Sequence, residues 1–307
     1  MAQTLSIYTL LFSYLIKYRL MTHNGYGQGG QDWPEDSCNP SINKIASPIN
    51  INTKNAKCSN EYFIDMMVSD DENQPFRIAF VGEPRTLRIR FGYKAFDIFV
   101  QFNNRRIFGY RLKELDFRTP SEHTIDGQRS PGEPQYTFVL HKRFRPYTDI
   151  HEIRLSFLFD VVDGTDMPNF FHLLIGKLKE IPYTSMLNTT EVNPIHTSAV
   201  GSSSLNTYFT RPIQFWAYNG TATDGNCNEK LLRIIYKEKL IINRDDLTFY
   251  QNYLKNLTGI ETNARTVMNP NEIAVYSCGT DCDDLLSGYM SFFLVYIILI
   301  YFLYYLI

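Results

Sequence analysis

The chain has 307 residues, room for one large domain or two small ones, and its 44% hydrophobic and 15% aromatic content can bury a substantial core. Its formal net charge of −2 provides no global basic field, which argues against nucleic acid as a partner. The local basic runs "NNRRIFGYRLK" and "HKRFRP" read as solvated strand ends.

At the N-terminus, Leu5–Ile16 ("LSIYTLLFSYLI") form an apolar run that suits a signal-peptide core and is short for a bilayer span. No basic side chain precedes it and no Ala-x-Ala site follows before Lys17 and Arg19, so an uncleaved anchor and a different start stay open. Residues 1–22 are assigned to this segment. Between 23 and 276 no repeat or low-complexity stretch occurs. Short runs rich in Ile, Val, Phe and Tyr predict strands: "TLRIRFGY", "FDIFVQF", "QYTFVLH", "IRLSFLFDVV" and "LLRIIYKE". Helical spacing is confined to "NFFHLLIGKLKEI" and "RDDLTFYQNYLKNL". The expectation is one mostly-β domain with a few short helices around a large sheet.

Three sequons, at Asn188, Asn219 and Asn256, agree with a secreted chain. The five cysteines, 38, 58, 227, 278 and 282, show no metal-knuckle spacing, and "CGTDC" has no second pair nearby to complete a zinc site. The C-terminal run Met290–Ile307 carries no charge. Extended back to Leu285 it reaches the ~20 residues that cross a hydrocarbon core. A polar, small-residue spacer at 277–288 precedes the apolar tail 289–307, the pattern of a GPI-attachment signal; a plain membrane anchor is the alternative. No Lys or Arg follows Arg265 to mark a cytoplasmic side.

Six ordered stretches carry a family resemblance: "GYGQGGQDWPEDSC", "ASPININTKNAK", "YRL" with "PSEHTIDGQR", "FWAYNGTATDGNCNE", "YKEKLII" and "NARTVMNPNEIAVY". Together they resemble the α-class carbonic anhydrases across residues 25–276. The resemblance implies a ten-stranded, mainly antiparallel twisted sheet with an active-site cone on one face. It also implies a disulfide between Cys38 and Cys227, with Cys58 and either Cys278 or Cys282 as a second candidate pair. The chemistry of the family rests on three neutral imidazoles on zinc, which brings a bound water to a pKa near 7. Two of the ligands alternate on one strand because side chains two apart share a face.

Here the "SEHTIDG" register puts Asp116 and Arg118 at those two positions and Gln135 at the third, with a shift onto Thr137 or Phe138 left open. None of these is histidine. A guanidinium stays protonated and has no lone pair to give a metal. Of the six histidines, His123 belongs to the Ser-Glu-His turn and the rest show no converging spacing.

The family pair that orients the zinc hydroxide maps onto Glu122 and Thr223, the apolar wall that receives CO₂ onto Ala222 and Arg233, and the proton shuttle near Lys94. An Arg118–Asp116 interaction, with Gln135 adding hydrogen bonds, is expected to fill the metal cavity. The expectation is therefore a domain with no cofactor and no CO₂ hydration, held at a cell-surface or secretory-pathway membrane. There it binds an unidentified protein or surface ligand through its outer surface. The alternative is a carbonate dehydratase with zinc on unconventional ligands.

Overall fold

The computed structural model describes residues 26–279, except 32, 34–37, 40, 60–61, 69–74, 82–85, 92–95, 103–105, 165–168, 182–194, 197–213, 225–226, 228–229 and 269–272. Among the described residues there are seventeen strands and two α-helices. The first six strands are β1 (Asn50–Ile51), β2 (Lys57–Cys58), β3 (Tyr62–Val68), β4 (Pro75–Val81), β5 (Thr86–Phe91) and β6 (Phe96–Phe102). The middle of the chain gives β7 (Ile107–Arg118), β8 (Thr124–Ile125), β9 (Gln128–Arg129), β10 (Glu133–Leu140), β11 (Glu152–Ser156) and β12 (Phe159–Val162). The helix α1 (Phe170–Glu180) follows, then β13 (Ile195–His196), β14 (Phe215–Thr221), β15 (Lys230–Tyr236), β16 (Leu240–Asn243), α2 (Arg244–Thr258) and β17 (Tyr276–Cys278).

A 12-stranded sheet runs β13-β4-β5-β7-β10-β11-β15-β14-β17-β2, with β6 also on β7 and β3 beyond it. Its pairings are antiparallel apart from β11–β15 and β17–β2. The resemblance implied ten strands; the larger number reflects two-residue pairings such as β2 and β13 at the ends of the sheet. The expected run "IRLSFLFDVV" divides into β11 and β12, because Phe157, Leu158 and Phe159 are all buried and the chain leaves the sheet there to pair β12 with β16.

Each central strand alternates an apolar and a polar residue, and both faces are buried. On β10, Tyr136, Phe138 and Leu140 join the main core while Glu133, Gln135 and Thr137 point the other way. On β11, Ile153 and Leu155 alternate with Arg154 and Ser156, and β15 places Arg233 between Leu232 and Ile234. The apolar face is covered by α1 and α2 through Phe170, Phe171, Leu174, Tyr250 and Leu254.

A bulge sets the two faces of β7. Phe138 pairs with Leu112 but Thr137 pairs with Glu114, so Lys113 is the extra residue, and its side chain is 57% exposed. Before it, Phe108, Tyr110 and Leu112 face the core; after it, Leu115 and Phe117 do. Glu114, Asp116 and Arg118 are thereby moved together onto the polar face.

The two helices are closed by their own sequence. Asn169 accepts from His172 N (2.9 Å) and Asn243 from Asp245 N (2.8 Å), while Gly259 ends α2 at φ 76°. Cys38 and Cys227 are disulfide-bonded across a sequence separation of 189, and Cys58 is also in a disulfide.

The sequon residues differ in setting. Asn256 is exposed on the last turn of α2, and Asn188 lies outside the described residues. Asn219 is half-buried inside β14 with its Oδ1 enclosed, paired across to Leu232. Lys94 and the apolar tail also lie outside the described residues.

Candidate functional site

The polar face of β5, β7, β10, β11 and β15 gathers the predicted positions. The register pairs Gln135 with Asp116 and Glu133 with Arg118, so Gln135, and not Thr137 or Phe138, is the third position.

Asp116 is not mainly a partner of Arg118. It lies opposite Arg88 on β5, whose Nε and Nη2 donate to both its oxygens at 2.7 and 3.1 Å. Arg118 Nη2 stands 3.8 Å from Asp116 Oδ2, and its Nε is 3.5 Å from Glu122 Oε1. Arg118 Nη1 donates to Tyr26 OH (2.5 Å) and to Asn263 O (3.3 Å), and its guanidinium stacks 4.9 Å over the Tyr26 ring. Gln135 bonds neither Asp116 nor Arg118. Its Nε2 donates to Glu122 Oε2 (2.8 Å) and Glu133 Oε1 (3.0 Å), and its Oε1 accepts from Arg233 Nη1 (3.2 Å). The expected Arg118–Asp116 pairing backed by Gln135 is therefore replaced by a longer arrangement. Arg88 supplies the in-plane fork that Arg118, on the same strand as Asp116, does not.

That arrangement is a ladder of alternating charge. Glu152 accepts from Arg154 Nε (2.8 Å), and Arg154 Nη2 reaches Asp224 Oδ2 (3.0 Å). Asp224 then faces Arg88 Nη2 (3.6 Å), Arg88 holds Asp116, and the series ends at Arg118 and Glu122. Arg88 Nη1 also stands 3.4 Å from Glu114. The outer rungs Glu152, Asp224 and Arg88 keep 14%, 18% and 11% of side-chain exposure, whereas Asp116, Arg118 and Glu122 have at most 1%. The cone is filled from the floor upward by side chains.

Beneath the ladder, Thr223 Oγ1 donates to Glu122 Oε2 (2.6 Å), and Arg233 donates to Thr221 O (2.8 Å) and Thr223 Oγ1 (3.3 Å). Glu133 accepts from the backbone N–H of Glu122 and His123 at 2.8 and 2.9 Å. His123 spans Glu133 (2.7 Å) and Tyr218 OH (2.7 Å), fully buried and far from any metal-ligand role.

The charges follow from these partners. Burial opposes the Arg118 cation, but Tyr26, Glu122 and Asp116 outweigh it and hold its pKa above the ordinary value. Burial would raise Asp116 and Asp224; the surrounding guanidiniums, Arg88 foremost for Asp116 and Arg154 for Asp224, bring both below the usual carboxylate range. Glu114 goes the other way, raised by burial that Arg88 does not offset. Glu133 is held at about 2 from a reference of 4.5, because His123 and its hydrogen bonds overcome burial.

A depressed folded pKa stabilises above the unfolded value and loses that stabilisation as pH falls through the folded one. Glu133 alone then contributes on the order of 3 kcal/mol above pH 4.5 that vanishes toward pH 2. Urea midpoints measured between pH 6 and 2 are expected to fall steeply below 4.5, and a Glu133→Gln variant to fall less steeply.

The ligand positions do not fit zinc. Both Asp116 oxygens are taken by Arg88, Arg118 has no lone pair to give, and the Gln135 oxygen faces Arg233. Arg88, Arg154 and Arg233 line the same face and engage the oxygens of Asp116, Asp224 and Gln135 that a metal would need. Among the described residues no group of three or more His, Cys, Asp and Glu is arranged to hold a metal. His172 instead pairs with Asp246 (2.6 Å), outside the cone. Arg88, Arg154 and Tyr26 are site residues that sequence reasoning missed. The alternation Leu87-Arg88-Ile89 signals a polar face but not which strand that face meets.

The family description "Eukaryotic-type carbonic anhydrase" matches residues 28–278. Carbonic anhydrase 4 of Mus musculus is 23% identical over 243 residues, 75% of this chain and 70% of that protein. Among solved structures, the α-carbonic anhydrase of Thermovibrio ammonificans in complex with sulfanilamide aligns with TM-score 0.55 at 21% identity, covering 76% of this chain and 88% of its own. A halotolerant carbonic anhydrase from Dunaliella salina aligns with TM-score 0.61 at 13% identity, covering 84% and 98%. With the match spanning most of its length and the fold shared, the chain belongs to the eukaryotic-type carbonic anhydrase family.

Proposed function

We propose that this chain is a carbonic-anhydrase-like domain without zinc or CO₂ hydration activity, displayed at a cell-surface or secretory-pathway membrane as a binding module. The observation that carries the reading is the buried Arg118 at a ligand position, beside an Asp116 whose two oxygens are both taken by Arg88. Hydration needs a metal-bound hydroxide at neutral pH and an apolar pocket for CO₂. At the corresponding ligand positions this chain has Asp116, Arg118 and Gln135, with Ala222 and Arg233 in place of the wall. Glu122 and Thr223 keep their hydrogen bond, and in this reading they brace the floor of the cone. The apolar run at 5–16, the disulfides and the C-terminal tail support passage through the secretory pathway and membrane attachment, by GPI or by a plain anchor.

The test is stopped-flow CO₂ hydration by the full-length protein, with and without a sulfonamide. The expected rate equals that of buffer and is indifferent to the sulfonamide. Sulfonamide-sensitive turnover would overturn the proposal in favour of a carbonate dehydratase.

A further inference from the structure

With the cone closed by its own ladder, a ligand must be met outside it, and one outer surface is built for that. Lys142–Tyr147 ("KRFRPY") form a 3-10 segment directly after β10, and none of its residues is buried. It is pinned in place. His141 N donates to Gly109 O (3.0 Å), and the Phe144 ring packs edge-on against Phe108 at 5.8 Å. Arg143 stacks on the outer side of Phe144 at 4.6 Å. In a 3-10 turn residues three apart eclipse, so Lys142 and Arg145 project side by side, roughly 6 Å apart along the axis.

No ion pair joins Lys142, Arg143 or Arg145 to any described residue. The neighbouring Asp97 is already taken by Arg111 at 3.0 Å, and Asp149 is the one exposed carboxylate that follows in the segment. Tyr147, at the end of the segment, is 63% exposed, and Ile107, two residues before Gly109 on β7, is 54% exposed.

We propose that this surface binds a sulfated polysaccharide, an inference that rests on reading the chain as a secretory-pathway binding module. The Lys142 ammonium and the Arg145 guanidinium side by side, with the Arg143 fork a third of a turn away, suit the oxygens of successive sulfates, and an exposed tyrosine supplies a flat apolar face for a sugar ring. A membrane is the less fitting anion. From β10, which the patch follows, to β17 the sheet crosses β11, β15 and β14. Those four strand spacings put the patch about 19 Å from β17. Nucleic acid is disfavoured by the net charge of −2.

Full-length protein in detergent micelles, titrated with heparin as the polysaccharide probe, tests this. Binding is expected to weaken with rising salt, and K142Q/R143Q/R145Q to weaken it by about tenfold or more at low salt. A control with equal charge loss elsewhere, K177Q/R244Q/K255Q, is expected to bind within about twofold of the parent. Unchanged melting temperatures would show that neither variant acts through folding.

Absence of heparin binding at low salt, or equal loss in both variants, would overturn the proposal. So would patch-dependent binding seen only with phosphatidylserine vesicles or only with RNA. Zinc-dependent turnover would remove the non-catalytic reading without touching this result, so the two failures are separable.

Discussion

Asp116→Leu is expected to destabilise the folded chain by about 3–5 kcal/mol, because it leaves Arg88 and Arg118 buried without their shared carboxylate. Arg88→Met should cost a similar amount by stranding Asp116, which is 1% exposed. The double variant R88M/D116L removes both charges and fills the space with apolar side chains, and it is expected to cost less than either single change. Denaturant midpoints for the four proteins give the coupling directly. Additive losses would mean that the fork between Arg88 and Asp116 contributes nothing as a pair, and the ladder would then be an incidental arrangement. Lys113 offers a built-in control, since its side chain is 57% exposed and 3.8 Å from Glu114; Lys113→Gln should change stability by no more than about 0.5 kcal/mol.

Removal of the Cys38–Cys227 bridge is expected to have the other large effect. The closed loop spans a sequence separation of 189, and the chain-entropy argument assigns such a cross-link about 5 kcal/mol. The bridge also fixes the segment that covers Arg118. Arg265 Nη2 donates to Cys38 O, and Tyr26, a short distance before Cys38, both stacks on Arg118 and donates to Thr223 O at 2.9 Å. C38S/C227S should therefore lower the thermal midpoint and make Tyr26 fluorescence sensitive to external quenchers well below the unfolding transition. An unchanged midpoint would show that burial of Tyr26 and Trp33 alone holds this segment down.

Much of the fold was legible because its signals are local. The helix Arg244–Thr258 was legible from Arg244 and Asp245 near its start and from apolar residues at helical spacing, and the strands from dense β-branched and aromatic runs. That Arg118 shares a face with Asp116 was legible too, since residues two apart on a strand point the same way.

What could not be read was who meets whom across the sheet. Arg88 looks like a solvent-facing residue until β5 is laid against β7, and only the pairing of Arg88 with Asp116 turns it into the principal partner of that carboxylate. The bulge at Lys113 is equally hidden: simple alternation would put Leu112 and Glu114 on the same face, yet one is in the core and the other in the cone. Asn219 shows the reverse hazard, a glycosylation pattern that happens to fall inside a strand.

In the proposed reading, the ladder ties the cone's strands together in place of a metal. A zinc site holds several strands together through one ion. Here Asp116, Asp224, Glu114 and Glu152 are linked through Arg88 and Arg154, so β5, β7, β11 and the segment after β14 stay tied by charge-assisted hydrogen bonds and, between Arg88 and Asp224 or Glu114, by ion pairs. Each rung depends on its neighbours, which is why single removals are expected to cost more than paired ones.

The most direct measurement is the zinc content of the full-length protein, taken by plasma mass spectrometry after incubation with excess zinc and exhaustive dialysis. An Arg118-filled cone predicts less than about 0.1 zinc per chain, unchanged in Asp116→Asn. About one zinc per chain, lost in Asp116→Asn, would contradict it.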